Sequence, residues 1–300
     1  VALPAAAFLA ACGADDSATL FHRPYGEEQP TADFLATTDR FENYGRVVRC
    51  RSCRLVYTDP RPARDFLLQG YCDSADTQYA EEAANRSINA YLSLNTIRRF
   101  IKGGRLLDVG CAMGYFLNAA RVDFEVTGVE PSLWAAGQAR SRFKVEVRAG
   151  TLLEQSFPDG SFDAVSMIDV IEHLSDPASV LDEVRRVLKP GGLLYLVTPD
   201  IDSLSARLLR GYWWGLRPAH LYYFSRKTLD SLLRKKGFDT ALSHSFGRIF
   251  SYGYWASRLA SYPALVRKPV ETLVSLLGFE HKILYLNTRD SMEVVAVRRD

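Results

Sequence analysis

The stretch LLDVGCAMGYFLNAA, Leu106 to Ala120, runs an apolar segment into two glycines and then into a helical pattern. A strand that turns into a helix in this way opens a βαβ unit, and such units build parallel sheets covered by helices on both faces. From Arg105 onward apolar runs alternate with amphipathic stretches, so the rhythm continues. Strands are predicted at Leu106–Val109, Val126–Glu130, Val145–Ala149, Phe162–Ile168 and Leu193–Thr198. The clearest helix is Pro177 to Leu188, with Val180, Leu181, Val184, Val187 and Leu188 on one face and KPGG at its end. The fold class is therefore α/β, a doubly wound, mostly parallel sheet.

The chain departs from this rhythm in three places. After Thr198 the segment PDIDSLSARLLRGYWWGLRPAHLYYF is too aromatic for a plain linker and reads as an insertion over the sheet's carboxyl edge, residues 199–227. A helix from Thr228 to Lys236 follows, then a strand near Thr240–Ser245, which should pair antiparallel with a last strand at Met292–Val297. Between these two lies a second insertion, residues 246–287. The first 74 residues, rich in turn formers, read as a separate small unit, joined by a linking helix within 75–104 to the main domain at 105–300.

With 300 residues, 47% apolar content and a net charge of +2, the chain can bury a sizeable core, and the near-neutral total gives no general argument for nucleic acid. No apolar run is long and uncharged enough for stable membrane insertion, although peripheral association stays open because residues 201–300 carry 16 Lys plus Arg against 8 Asp plus Glu. Five cysteines, irregularly spaced, do not make a disulfide framework, so a reducing, cytoplasmic setting is expected. FLAAC, ending at Cys12, has the look of a lipoprotein cleavage box but lacks basic residues before it.

The turn Gly110-Cys111-Ala112-Met113-Gly114 narrows the ligand. Dinucleotide sites favour G-x-G-x-x-G, whose second glycine lets the backbone approach a pyrophosphate, and here Ala112 stands in that place. Asp108, two residues before the first glycine, would repel a diphosphate but can hold an amine. Glu130 ends the second strand about twenty residues on, where a carboxylate accepts hydrogen bonds from ribose hydroxyls. An amine and a ribose without a pyrophosphate describe S-adenosylmethionine.

At this point the sequence resembles the class I S-adenosylmethionine-dependent methyltransferases over roughly Leu106 to Phe238. LLDVGCAMGYFL is similar to their first motif, VTGVEPS to the acidic ribose motif, FPDGSFDAVSMIDVIEHLSDP to the fourth-strand motif, and EVRRVLKPGGLLYLVTPD to the helix and fifth strand. The resemblance implies a Rossmann-like sheet with an antiparallel last strand. It assigns Asp108, Gly110, Cys111 and Gly114 to the methionine end and Glu130 to the ribose. Thr151 and Leu152 fall at the adenine, where many relatives have an acidic residue, and Asp169 faces the same crevice. Gly110 and Gly114 could instead serve only helix–strand packing, and Cys111 reads as a small buried residue rather than a nucleophile.

His220, in RPAHLYYFS, is the candidate catalytic base, since relatives near the ubiquinone-biosynthesis and sugar methyltransferases share a similar stretch; the alternative is a structural histidine anchoring the insertion. His173, in IEHL, either touches ligand or packs the loop. Some relatives also carry an amino-terminal zinc unit with two C-x-x-C pairs. Cys50, Cys53 and LVYTDPRP fit its second half, while the first half keeps only Cys12, with His22 as a possible fourth zinc ligand; a degenerate, metal-free ribbon is the alternative. The expected partner is a small-molecule acceptor, ring-bearing or glycosyl and anionic, because Trp213, Trp214, Tyr222, Tyr223 and Phe224 lie among Arg210, Arg217 and Arg226; the alternative, expected for at least half of these aromatics, is that they pack the insertion against the sheet. Two other readings are a cofactor-binding scaffold without catalysis and a nicotinamide oxidoreductase.

Overall fold

The computed structural model describes residues 2–3, 16–23, 44–72, 75, 82–259 and 264–300. The amino-terminal part forms β1 (Ala2–Leu3), β2 (Ser17–Arg23), β3 (Gly45–Cys50), β4 (Val56–Thr58), β5 (Arg61–Pro62) and the helices α1 (Arg64–Cys72) and α2 (Ala83–Ile97). The alternating part runs β6 (Gly104–Val109), α3 (Tyr115–Ala120), β7 (Phe124–Glu130), α4 (Leu133–Phe143), β8 (Glu146–Ala149), β9 (Phe162–Ile168), α5 (Pro177–Val187) and β10 (Leu188–Pro199). The last third holds α6 (Leu204–Leu209), β11 (Tyr222–Tyr223), α7 (Arg226–Lys235), β12 (Phe238–Ser245), β13 (Arg248–Ser251), α8 (Tyr252–Ser257), α9 (Ala264–Leu276), β14 (Ile283–Leu286) and β15 (Ser291–Arg298).

The main sheet has the order β12-β15-β10-β9-β6-β7-β8, parallel from β10 to β8, with β15 antiparallel to both β10 and β12. This matches the mostly parallel sheet with an antiparallel last strand. Its central strands read as unbroken apolar runs because both faces are covered. Leu107, Val165 and Leu194 pack into one core layer, while their neighbours Leu106, Ala164 and Leu193 pack into the other. Strand order reverses beside β6, whose partners are β7 on one side and β9 on the other, so the carboxyl ends of these three strands frame a crevice.

Local signals set the helix starts. Asp176 Oδ1 accepts from the backbone N–H groups of Ala178 and Ser179, both at 3.1 Å, and Pro177 takes the first helical position of α5, where its missing N–H costs nothing. Ser225 and Thr228 form the reciprocal cap of α7. The linking helix, expected within 75–104, is α2, whose Leu94 and Ile97 are fully buried beside Phe116 and Ala120.

The residues read as a separate amino-terminal unit do not stand apart. The strands β2, β3 and β4 continue into β11 of the first insertion, with Tyr57 opposite Tyr222 and Val56 opposite Tyr223. Thr58 closes the junction, its N–H donating to Leu221 O at 2.9 Å and its Oγ1 to His220 O at 3.1 Å. Val48, Tyr57 and Leu67 share a core with Leu181 and Leu196. Sequence spacing does not disclose this pairing, because the partners lie more than 160 residues apart. Among the described residues no helix is long and apolar enough to cross a membrane.

Candidate active site

A cavity of about 880 Å³ opens at the carboxyl ends of β6, β7 and β9. Asp108, next to last in β6, lines it and is only 3% exposed. Ser166 Oγ, on β9, donates to Asp108 Oδ1 at 2.7 Å. Burial pushes the Asp108 carboxyl up to about 7, against the pull of that hydrogen bond, and the nearby Glu130 adds to the rise. Glu130, at the end of β7, accepts from Ala112 N–H at 2.8 Å and from Ser132 N–H at 2.9 Å. Burial raises this carboxyl too.

Between the two carboxylates runs the turn. Gly110 has φ +72°, and a Cβ there would lie 2.6 Å from Val170 Cγ2, so only glycine lets the strand end pass the loop after β9. Ala112, at φ +46°, aims its N–H at Glu130 and lines the cavity with Gly110 and Cys111. Cys111 is buried, its thiol pushed well above its usual range by burial, which suits the small packing residue and not a nucleophile. Gly114 lies at the start of α3, where an added Cβ would sit 2.8 Å from Ala139 Cβ of α4. It is not among the residues lining the cavity, and its place is explained by helix packing.

Thr151 and Leu152 follow β8 and line the cavity. The Thr151 N–H already donates to Glu154 Oε2 at 2.7 Å and is engaged within the chain. Asp169, just past β9, is held at φ +55° and pairs with Arg248 Nη2 at 2.6 Å. Arg248 comes from β13 in the second insertion and lay outside the sequence reading; its signal was a lone cation in the otherwise apolar run Phe246 to Phe250.

His220 lines the cavity at 3% exposure, its Nδ1 2.8 Å from Gly215 O. A carbonyl only accepts, so Nδ1 carries the proton and Nε2 the lone pair. Burial, reinforced by His173 and Arg217, holds the ring well below its ordinary pKa, and it is neutral at pH 7. His173 stands edge-on to it with ring centroids 4.6 Å apart. Its Nδ1 lies 3.0 Å from Ala219 O, which only accepts, and 2.8 Å from Tyr71 Oη, which can do either.

In the first insertion the packing alternative holds for most of the aromatics. Tyr222, Tyr223 and Phe224 are at most 2% exposed and Trp213 is 1% exposed; all four are core residues outside the cavity lining. Of the aromatic set Trp214 alone lines the cavity, and of the three arginines Arg217 alone does so. Arg226 lies 3.4 Å from Asp200, away from the cavity lining. The second insertion supplies much of the roof, through Phe250, Tyr252, Tyr254, Trp255 and Arg258.

At the amino terminus Cys50 ends β3 and Cys53 follows on the turn, its N–H 3.4 Å from Cys50 Sγ. Cys12 lies outside the described residues. His22 pairs with Arg46 at the far end of the β2–β3 ladder, roughly 13 Å from Cys50 at about 3.3 Å per residue, and does not join the thiols. Among the described residues Cys50 and Cys53 are the two sulfurs that stand together at this turn.

The sequence pattern of the family described as "Methyltransferase domain" matches residues 78–242, more than half of the chain and the part that carries these carboxylates and histidines. The chain belongs to this family. A protein of Mycolicibacterium smegmatis named "Probable S-adenosylmethionine-dependent methyltransferase" is 34% identical over 139 residues, covering 46% of this chain and 52% of that protein. A ubiquinone biosynthesis O-methyltransferase of Xanthomonas oryzae is 34% identical over 105 residues, 33% of this chain and 44% of that one. The chain thus spans about half the length of the curated relatives it matches. Its fold is shared with the YcgJ protein of Bacillus subtilis, with a TM-score of 0.51 at 19% identity, covering 70% of this chain and 99% of that structure.

The donor set can be tested against the ligand this family uses. Asp108 and Glu130 are both buried, and neither forms an ion pair among the described residues. A buried carboxylate without a cation is costly, so the pair calls for a ligand that brings positive charge and hydroxyl donors. An ammonium group and a ribose supply both, and a diphosphate would add charge of the wrong sign.

Proposed function

We propose that this chain transfers the methyl group of S-adenosylmethionine to a small anionic acceptor that carries a ring or a sugar. The observation that carries this reading is the pair of buried carboxylates, Asp108 and Glu130, at the mouth of one cavity. Bound there, S-adenosylmethionine supplies a methyl group activated by its sulfonium. Asp108 accepts from the ammonium of the methionine end, and Glu130, whose two oxygens each already take one backbone N–H, accepts from the ribose with its remaining lone pairs. Leu152 and the backbone around it lie where the base would rest.

The chain's own contribution to the reaction is alignment and exclusion of water, which in the best model systems is worth about 7 to 11 kcal/mol. The second insertion closes over the cavity with Phe250 and Trp255 and so keeps the crevice apolar. Arg217 is buried beside it, and burial together with Arg258 draws its pKa down to about 10, so an anion on the acceptor would relieve two crowded cations. Trp214 offers a flat wall next to them. In this reading His220 Nε2 takes the proton of an acceptor hydroxyl as the oxygen gains the methyl.

The test is a screen with radiolabelled methyl donor against matched acceptors that differ only in an acidic substituent. Acidic ring-bearing acceptors are expected to turn over faster, and Arg217→Gln is expected to raise KM for them by at least tenfold with little change for neutral analogues. A best acceptor that is neutral and acyclic would overturn the substrate class.

A further inference from the structure

The second insertion carries a two-stranded sheet of its own, β13 with β14, outside the main sheet. Its two edges differ. On β13 the side chain of Asn89, from α2, acts as a third strand: its Nδ2 donates to Ile249 O at 2.7 Å, and its Oδ1 accepts from Ile249 N–H at 2.8 Å. Ile249 stands opposite Tyr285 in the antiparallel ladder. Opposed residues in such a ladder turn their backbone polar groups the same way, both inward or both outward. The N–H and C=O of Tyr285 therefore point away from β13, and by the two-residue period so do those of Ile283. Among the described residues no strand pairs with this edge.

The side chains along it are apolar and uncovered. Ile283 and Tyr285 are 55% and 54% exposed, whereas their neighbours Leu284 and Leu286 turn to the cavity. The edges of the main sheet are guarded by charge instead. On β8 Glu146 and Arg148 pair with each other at 3.1 Å, and on β12 Asp239 pairs with Arg299 at 2.6 Å. Charged edge strands keep other strands off, and β14 has no charge from Ile283 to Leu286. We infer that β14 is an interaction surface for a second copy of this chain, joined edge to edge and antiparallel.

The register favours a copy over any other occupant. A two-fold axis at Leu284 sets Ile283 of each copy opposite Tyr285 of the other, Leu284 opposite Leu284, and Lys282 opposite Leu286. A β-branched residue against an aromatic is a stabilising cross-strand pair, it occurs twice, and no like charges meet. In this register Ile283 and Tyr285 are the hydrogen-bonded pairs, so the outward groups of both strands are used. A lipid surface offers these groups nothing, and open sheet edges do not face hydrocarbon. Two strands alone are marginal in water, and joining two copies makes four. The axis stands perpendicular to the joined sheet, which places both cavities on one face with the two Leu284 side chains between them. One strand pair is a small contact, so the dimer should be transient, with Kd on the order of micromolar.

Sedimentation velocity of the full chain from about 1 to about 200 μM should show monomer passing into dimer. Ile283→Glu with Tyr285→Glu puts like charges opposite each other and should leave a folded monomer throughout. Cross-linking reads the register independently. In a Cys12→Ser, Cys72→Ser background, mild oxidation should join Leu284→Cys chains into a covalent dimer, because facing residues at a non-hydrogen-bonded position lie about 4.5 Å apart between Cα atoms. Tyr285→Cys in the same background faces Ile283 and should stay monomeric. A monomer at every concentration, a dimer that survives the double glutamate variant, or covalent dimers from Tyr285→Cys and not from Leu284→Cys would overturn the interface. Flotation of a monomeric wild type with phosphatidylglycerol vesicles, lost in the double glutamate variant, would assign the strand to lipid and overturn it too.

Discussion

Asp108 ties residue chemistry to a measurable pH response. Its carboxyl, raised from 3.8 to about 7 by burial, is half protonated at neutral pH in the free protein. The folded state therefore binds the proton more tightly than the unfolded chain, so its contribution to stability is complete below about pH 4 and is lost as the pH rises through about 7. Cofactor binding has the opposite demand, because an ammonium needs the carboxylate. Affinity for S-adenosylmethionine should fall by up to about tenfold per pH unit below 7, with a proton released on binding, and Asp108→Asn should flatten that slope while costing about 1.5 to 3 kcal/mol at pH 8. Calorimetry in buffers of different ionisation enthalpy reads both; a wild-type affinity independent of pH between 5 and 8 would contradict the assignment. Gly114 makes a contrasting prediction. Its φ of +78° and the 2.8 Å approach of Ala139 mean that Gly114→Ala should lose about 1 to 3 kcal/mol of stability in urea denaturation. Cofactor affinity of the folded variant should stay close to wild type, and an unchanged urea midpoint would refute the packing role. The positions of Asp108, Gly110 and Glu130 at the strand ends were legible because each stands at a fixed offset from an apolar strand, whereas Gly114, read as a methionine contact, lies off the cavity lining. The partners that complete them, Ser166 and Arg248, were not, since hydrogen-bonding and ion-pairing residues leave no periodic trace in the chain.

The elements were most legible where local signals agree with burial. Pro177 with its aspartate cap and the apolar stripe of α5 fixed that helix, and the apolar runs fixed β6, β9 and β10. The amino-terminal strands were misjudged as a unit apart, because β4 finds its partner β11 in an insertion far along the chain. In the aromatic insertion the packing alternative holds for Tyr222 and Phe224, which lie inside the core with Leu181 and Leu196. In the second insertion the two faces should respond differently. Phe250 is 4% exposed, stacked on Tyr254 at 4.1 Å between ring centroids, and Phe250→Ala should cost about 3 to 5 kcal/mol. Leu276, on α9, is 79% exposed, and Leu276→Gln should change stability by no more than about 0.5 kcal/mol. Thermal melts of the two variants check this, and equal losses would show that the roof is packed otherwise than described.

At the scale of the whole molecule, one sheet places every candidate group. The strand order reverses at β6, the crevice opens there, and the two carboxylates that end β6 and β7 meet the histidines of the loop after β9 and of the first insertion in a single cavity. The βα rhythm announced this sheet and its antiparallel edge, since a parallel sheet with helices on both faces needs long apolar strands separated by amphipathic segments. The roof over the crevice was announced only in outline, because which insertion residue reaches the cavity depends on tertiary packing. On the proposed function, the crevice takes an amine and a ribose. The most direct measurement is calorimetric titration of the full chain with S-adenosylmethionine and, in parallel, with a nicotinamide dinucleotide, for the wild type and for Asp108→Ala and Glu130→Ala. The wild type is expected to bind S-adenosylmethionine and not the dinucleotide, and each variant, folded by circular dichroism, to bind S-adenosylmethionine at least about tenfold more weakly. Dinucleotide binding by the wild type, or unchanged S-adenosylmethionine affinity in both folded variants, would contradict the proposed function.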